Sequence, residues 1–334
     1  MLRTTLLPAL LLGLSSHLCQ AGAPDLAAFD HDAHPDLRSV LVMQKGAIIA
    51  ERYYNGATAE SLHDVRSAGK SITALLVGTA VDQGLIHDVS DRVDRYWTAA
   101  KGSAVGAVPL ADILTMRSGL AAFDAETASP GNEDKMDEAP DTDQFILAIP
   151  RAVPSGTLYR YNSLTAHVAG IAVQQASARD LEDYARTALF APLGITQWQW
   201  ARDASGRVKG QGNLSLRTRD LGKIGQMVLD RGVYDGRRVL SEKWIAAMLA
   251  PRHAIANVDR YADSYGYFWY SKTQLVDGRP IVVHFASGNG GNKIYVVPAL
   301  GEVIVITSSA YGKGYGQLRS ETILKAILAQ RGMQ

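Results

Sequence analysis

Runs rich in β-branched residues stand at both ends of this chain, and the stretch between them carries helix spacing. Its sheet is therefore expected to be assembled from the two ends, with a helical region inserted. Near the N-terminus, Ser39–Gln44 and Ala47–Tyr54 flank Lys45-Gly46, which is a hairpin signal. Toward the C-terminus, Tyr265–Tyr270, Pro280–Phe285, Lys293–Val297 and Val303–Thr307 are short, β-rich and separated by turn residues. An antiparallel meander is the simplest arrangement for them. Leu318–Gln330 closes the chain as a helix. In between, Pro109–Met116 puts a proline at a helix start, and further amphipathic runs follow from Leu164, at Leu181–Leu189 and at Asp220–Leu229. Ala122–Asp143 is acidic, contains Pro and Gly and has no period, so it reads as a long surface loop of the kind that borders binding sites. The expected division is an α/β domain from residues 24–84 and 236–334, and a helical domain over 85–235.

The sequence has 334 residues, 47% hydrophobic and 20% charged, enough for one large or two smaller domains. A net charge of +1 gives no field that would select nucleic acid or an anionic membrane. Residues 1–21 read as a signal peptide: Arg3, a short apolar core at Leu6–Leu14, and small residues at Ala21, Gly22 and Ala23. Cleavage is expected after Ala21. Cys19, the single cysteine, leaves with that segment, so disulfides and a cysteine nucleophile are not expected in the mature protein. The expectation is an exported protein, periplasmic or secreted, with no membrane segment after cleavage.

Ser67-Ala-Gly-Lys70 opens an apolar helical run that stops at Gly84, a plausible left-handed cap. Residues three apart share a helix face, so the amine can reach the hydroxyl. Serine is a poor nucleophile at neutral pH and needs a neutral base beside it. Burial and the positive end of the helix are expected to lower the Lys70 pKa toward that role. On its own the spacing also suits a helix-start serine followed by a solvated lysine.

Two more motifs follow in order: Pro154-Ser-Gly-Thr-Leu-Tyr-Arg-Tyr161-Asn-Ser163, and His284-Phe-Ala286-Ser287-Gly288-Asn289-Gly-Gly. With Asp112–Leu120, this series resembles the penicillin-recognising serine hydrolases over roughly residues 38–330. The resemblance is to class C β-lactamases and the related esterases, D-peptidases and 6-aminohexanoate-dimer hydrolases. It implies a β-lactamase/transpeptidase-like α/β (α+β) fold: an antiparallel sheet flanked by helices, an inserted all-helical domain, and an active site in the cleft between them. It also implies Ser67 as the acylated nucleophile, Lys70 as general base and Tyr161 as proton carrier. The backbone N–H groups of Ser67 and Asn289 would form the oxyanion site, with Ser287, Gly288 and Ser163 around the substrate. No cofactor and no metal are implied. Taken singly, Tyr161 reads as a buried aromatic, Ser163 as a helix N-cap, and glycines 288, 290 and 291 as a bulged turn.

The chain departs from the family pattern in two places. Where the third motif usually starts with a cation that binds a substrate carboxylate, this chain has Ala286. His284 stands two residues earlier on the same strand face, either as a partial replacement or as a packed strand histidine. Where the second motif has asparagine, this chain has Ser163, preceded by Asn162. Both changes weaken recognition of β-lactams and acyl-D-Ala-D-Ala peptides, so the expected substrate is a small ester or amide. A β-lactamase or D-alanyl-D-alanine carboxypeptidase-like enzyme is the alternative, and a non-catalytic binding protein of the same fold is the second. His31-Asp-Ala-His34 is the single close histidine pair and lacks further clustered ligands. A histidine triad is disfavoured because no Gly-x-Ser-x-Gly elbow occurs.

Overall fold

Val40–Val42 and Val303–Ile306, more than 250 residues apart in sequence, lie side by side and fully buried in one sheet. The computed structural model describes residues 22–331; the expected signal peptide and Cys19 lie outside them. The strands are β1 (Leu37–Gln44), β2 (Ala47–Tyr53), β3 (Leu62–Asp64), β4 (Gln199–Trp200), β5 (Leu214–Arg217), β6 (Val233–Tyr234) and β7 (Arg237–Arg238), followed by β8 (His253–Ala254), β9 (Ser264–Tyr265), β10 (Tyr270–Val276), β11 (Arg279–Gly288), β12 (Asn292–Val297) and β13 (Glu302–Ser308). The α-helices are α1 (Ala68–Asp82), α2 (Val93–Tyr96), α3 (Leu110–Leu114), α4 (Glu133–Glu138), α5 (Thr142–Ala148), α6 (Ser163–Ser177), α7 (Leu181–Ala185), α8 (Thr218–Leu229), α9 (Glu242–Leu249) and α10 (Tyr315–Ala329).

The large sheet runs β2-β1-β13-β12-β11-β10-β9-β8, antiparallel throughout. Lys45 and Gly46 both have positive φ (48° and 83°), the backbone that a two-residue hairpin requires. The β10–β13 segments pair as the expected meander. Tyr265–Tyr270, read as one strand, is broken: Phe268 has φ +56° and donates its N–H to the Leu114 carbonyl, which separates β9 from β10.

One face of the sheet carries α1 and α8, and the other carries α10. Residues 85–235, expected to be all-helical, also contain the short strands β4–β6, and α8 rides directly on β1, β12 and β13. The reason lies in α8 itself. Leu221, Ile224, Met227 and Val228 form its buried stripe, and Gly222 and Gly225 lie so close to Met43 and Val303 that a Cβ would come within 2.7 and 2.5 Å of them. Two glycines thus let the helix sink onto the sheet. The expected long loop at 122–143 contains α4, capped by Asn132 Oδ1 on Asp134 N–H, and the start of α5.

Candidate active site

Ser67 occupies the N-cap position of α1, yet its side chain makes no capping hydrogen bond. Its Oγ instead accepts from Lys70 Nζ at 2.9 Å. The residue before it, Arg66, has φ +51°. Such a backbone in a non-glycine residue needs outside support. Here the Arg66 N–H donates to Asp64 Oδ1 at 2.8 Å, and its guanidinium lies 4.1 Å from the centre of the Tyr311 ring. The chain therefore turns sharply into the helix with the serine at the turn.

Lys70 is 1% exposed. Its Nζ donates at 2.9 Å to Ser67 Oγ, to Ser163 Oγ and to the Gln211 carbonyl. Three acceptors match the three donors of an ammonium. Burial pulls its pKa down, but Tyr161, Glu133 and Asp124 together outweigh burial and hold it above the ordinary lysine value. This corrects the expected lowering: the groups packed around the amine decide the sign. Burial likewise pushes the Tyr161 phenol up, against the opposing pull of Lys70 and the Ser67 hydroxyl. Lys70 Nζ is 5.1 Å from the centre of the Tyr161 ring. Ser67, Lys70, Tyr161 and Ser163 are thus brought together.

Ser163 is not the cap of α6. Asn162 is, with Oδ1 accepting from Thr165 N–H at 2.8 Å, and that frees the Ser163 hydroxyl to face Lys70. The motif's asparagine position, here Ser163, and the cap, Asn162, are therefore two residues, and the serine points toward Lys70.

The third motif also meets the Ser67 turn. Along β11, pairing with β10 ends at Phe285, whereas pairing with β12 continues to Gly288. The 286–288 edge is left without a β10 partner. A Cβ on Gly288 would come 1.9 Å from the Val65 carbonyl and 3.1 Å from Ala68 N, so glycine lets this strand end reach the Ser67 turn. Gly290 and Gly291 (φ 87° and 90°) make the turn that follows. The glycine stretch therefore combines a close approach with a turn. Asn289 lies at the start of that turn, its Oδ1 accepting from Gly312 N–H at 2.9 Å.

His284 does not replace the missing cation. Its Nδ1 pairs with Ser271 Oγ at 2.7 Å, and burial lowers its pKa, so it is a neutral strand histidine. A lysine does stand beside the motif, on the neighbouring strand: Lys293, 3% exposed, donates to Ser287 Oγ at 2.7 Å. Burial lowers its amine to about 7. Tyr265 and Trp269 are core residues, and Tyr159 packs edge-on against Tyr265.

Sequence reasoning missed Asp124, Gln211 and Lys293. Asp124 lies in the stretch read as a loop, and its N–H donates to the Tyr161 carbonyl at 3.2 Å. Gln211 offers Lys70 a backbone carbonyl, which any residue type can do, so no sequence signal marks it. Its side chain is anchored by His167 Nδ1 at 2.9 Å, and His167 Nε2 lies 3.4 Å from Asp203 Oδ2. Among the described residues no group of His, Cys, Asp and Glu could hold a metal ion.

A family model described as Beta-lactamase matches residues 34–327. A 6-aminohexanoate-dimer hydrolase from Paenarthrobacter ureafaciens is 26% identical over 282 residues, covering 80% of this chain and 71% of that protein. Among solved structures, a penicillin-binding protein homolog from Caulobacter crescentus superposes with a TM-score of 0.72 at 18% identity, covering 91% of this chain and 95% of the other. A family VIII carboxylesterase superposes with a TM-score of 0.70 at 16% identity, covering 90% and 95%. With the family match spanning most of its length and the fold shared with these structures, the chain belongs to the beta-lactamase family of hydrolases.

Proposed function

We propose that the protein hydrolyses small esters or amides through an acyl-enzyme on Ser67. Lys70 acts as general base and Tyr161 as proton carrier to the leaving group. The observation that carries this reading is the convergence of Ser67, Ser163 and Gln211 on Lys70 Nζ at 2.9 Å each. The N–H groups of Ser67 and Asn289 are assigned as the oxyanion donors, and loss of one such donor typically costs about 2.7–4 kcal/mol in the barrier. Ala286 at the cation position and the neutral His284 support an uncharged acyl substrate over a β-lactam. One observation favours a β-lactamase or D-peptidase instead: Lys293 behind Ser287 could serve an anionic substrate. The segment 1–21 supports export, to a periplasm or the exterior.

The test is hydrolysis of p-nitrophenyl butyrate and a chromogenic cephalosporin, side by side, by wild type and Ser67→Ala. Ester turnover that the variant loses, with the cephalosporin barely cleaved, is expected. Rapid cephalosporin turnover would replace this reading with the β-lactamase one, and ester turnover retained by Ser67→Ala would refute the nucleophile.

A further inference from the structure

Ser163 and His167 are four residues apart on α6, so their side chains share a face. Ser163 Oγ accepts directly from Lys70 Nζ at 2.9 Å. His167, 1% exposed, faces Gln211: its Nδ1 lies 2.9 Å from Gln211 Oε1, and the Gln211 carbonyl is another acceptor of the same amine. Two of the three Lys70 acceptors therefore depend on one helix face, one directly and one through Gln211.

The backbone at Gln211 is threaded between α1 and α6. A Cβ on Gly210 would come 3.1 Å from Gly170 Cα, and one on Gly212 would come 2.6 Å from the Arg66 carbonyl. Glycine on each side lets the chain pass, and it also leaves the peptide planes around Gln211 easy to rotate. Thr73 Oγ1 donates to the Gly210 carbonyl at 2.6 Å, and Trp200 Nε1 donates to the Gly212 carbonyl at 3.0 Å. Between these two pinned carbonyls, the Gln211 side chain is the tether that orients its own backbone.

That side chain is held at both ends. Its Nε2 donates to Asp137 Oδ1 at 3.5 Å, and Lys209 Nζ pairs with Asp137 Oδ2 at 2.7 Å. With the amide nitrogen on the carboxylate, Oε1 faces His167 and can only accept, so Nδ1 carries a hydrogen. Across the ring, Nε2 lies 3.4 Å from Asp203 Oδ2, and both side chains are buried. The other Asp203 oxygen accepts from the Ser205 N–H and hydroxyl and the Arg207 N–H, which fixes the carboxylate in its loop. The imidazole is therefore clamped between a fixed carboxylate and the Gln211 amide.

We infer that His167 is a positioning residue for Lys70: backed by Asp203, it holds the Gln211 side chain so that the Gln211 carbonyl keeps the Lys70 amine in line with Ser67 Oγ. The inference rests on the acyl-enzyme reading above, in which Lys70 is the general base. The three Lys70 donors meet three acceptors. If Gln211 turns away, one acceptor is lost, and an amine on a flexible four-carbon stem loses the fixed place that proton transfer from Ser67 needs. His167 and Gln211 are each 1% exposed and offer a substrate no surface, so the effect falls on kcat and not on KM.

The experiment measures kcat and KM for p-nitrophenyl butyrate, with thermal unfolding beside them. The proteins are wild type, His167→Asn, His167→Gln, His167→Leu, Gln211→Leu, the double variant His167→Leu/Gln211→Leu, and Ser67→Ala. An asparagine amide nitrogen takes the place of Nδ1 and can donate to Gln211, whereas a glutamine amide nitrogen takes the place of Nε2 and cannot. His167→Gln and His167→Leu should lower kcat on the order of tenfold to a hundredfold with KM little changed. His167→Asn should recover most of that loss. Gln211→Leu keeps the carbonyl but loses its tether, so it should match His167→Leu, and the double variant should be no slower than either. Packing alone predicts the opposite order, because glutamine fills the histidine site better than the shorter asparagine. A kcat for His167→Asn no better than that for His167→Gln overturns the inference, as does an unchanged kcat in Gln211→Leu or a loss confined to KM. Should the His167 variants not fold, Gln211→Leu decides alone by the same criterion. Activity surviving in Ser67→Ala would mean that the acyl-enzyme reading itself has failed. An inactive Ser67→Ala beside unaffected His167 and Gln211 variants would mean that only the positioning role has.

Discussion

Lys293 should make the protein less stable at neutral pH than at high pH, and replacing it should remove that dependence. The amine is 3% exposed and lies 4.8 Å from the centre of the Phe285 ring; Ser287 Oγ is its hydrogen-bond partner. Burial lowers it from 10.5 to about 7. The unfolded chain therefore binds more protons than the folded one between those limits, and stability contributed by this group rises with pH across them. The penalty is about 4 kcal/mol at pH 7 and about 2 kcal/mol at pH 9. Lys293→Met keeps the length and the packing on the rings and leaves nothing to desolvate. Urea unfolding at pH 7 and pH 9 should find the variant more stable than wild type, by a margin that shrinks by about 2 kcal/mol between the two. Parallel stability curves, or a variant less stable at pH 7, would refute the claim that a desolvated amine sits there.

Three further substitutions probe the site. Gly288→Ala would drive a Cβ to 1.9 Å from the Val65 carbonyl, so the strand end must withdraw from Ser67; ester kcat should drop on the order of a hundredfold while the far-UV CD spectrum is kept. Asn162→Ala removes the cap on Thr165 N–H and should cost about 1 kcal/mol in denaturant unfolding. Tyr161→Phe keeps the ring beside Lys70 and removes the proton carrier, so kcat should fall by roughly 10²–10⁴ with KM little changed in steady-state assays.

Much of this architecture was legible because it is local. The Lys45-Gly46 hairpin, the Gly84 stop after α1 and the α10 helix each follow from adjacent residues. The Ser67–Lys70 pair was legible because its two members are one helical turn apart. What escaped is non-local. Gln211 meets Lys70 across 141 residues through a backbone carbonyl. Lys293 reaches Ser287 only once β12 folds back on β11, so its place beside the motif cannot be read along the strand. The expected direction of the Lys70 shift failed for the same reason: burial was foreseeable, but the groups that override it, Tyr161 first and then Glu133 and Asp124, come from residues far along the chain. The strand read at Tyr265–Tyr270 failed because the Leu114 carbonyl captures Phe268 N–H.

The central claim is that Ser67 becomes acylated. The most direct measurement is to treat the protein with a fluorophosphonate and with p-nitrophenyl butyrate under rapid acid quench, digest it, and locate the added mass. A single adduct on the peptide carrying Ser67, absent in Ser67→Ala and slowed in Lys70→Met, is the predicted result. Turnover of the ester with no adduct on Ser67, or an adduct on another residue, would contradict the account.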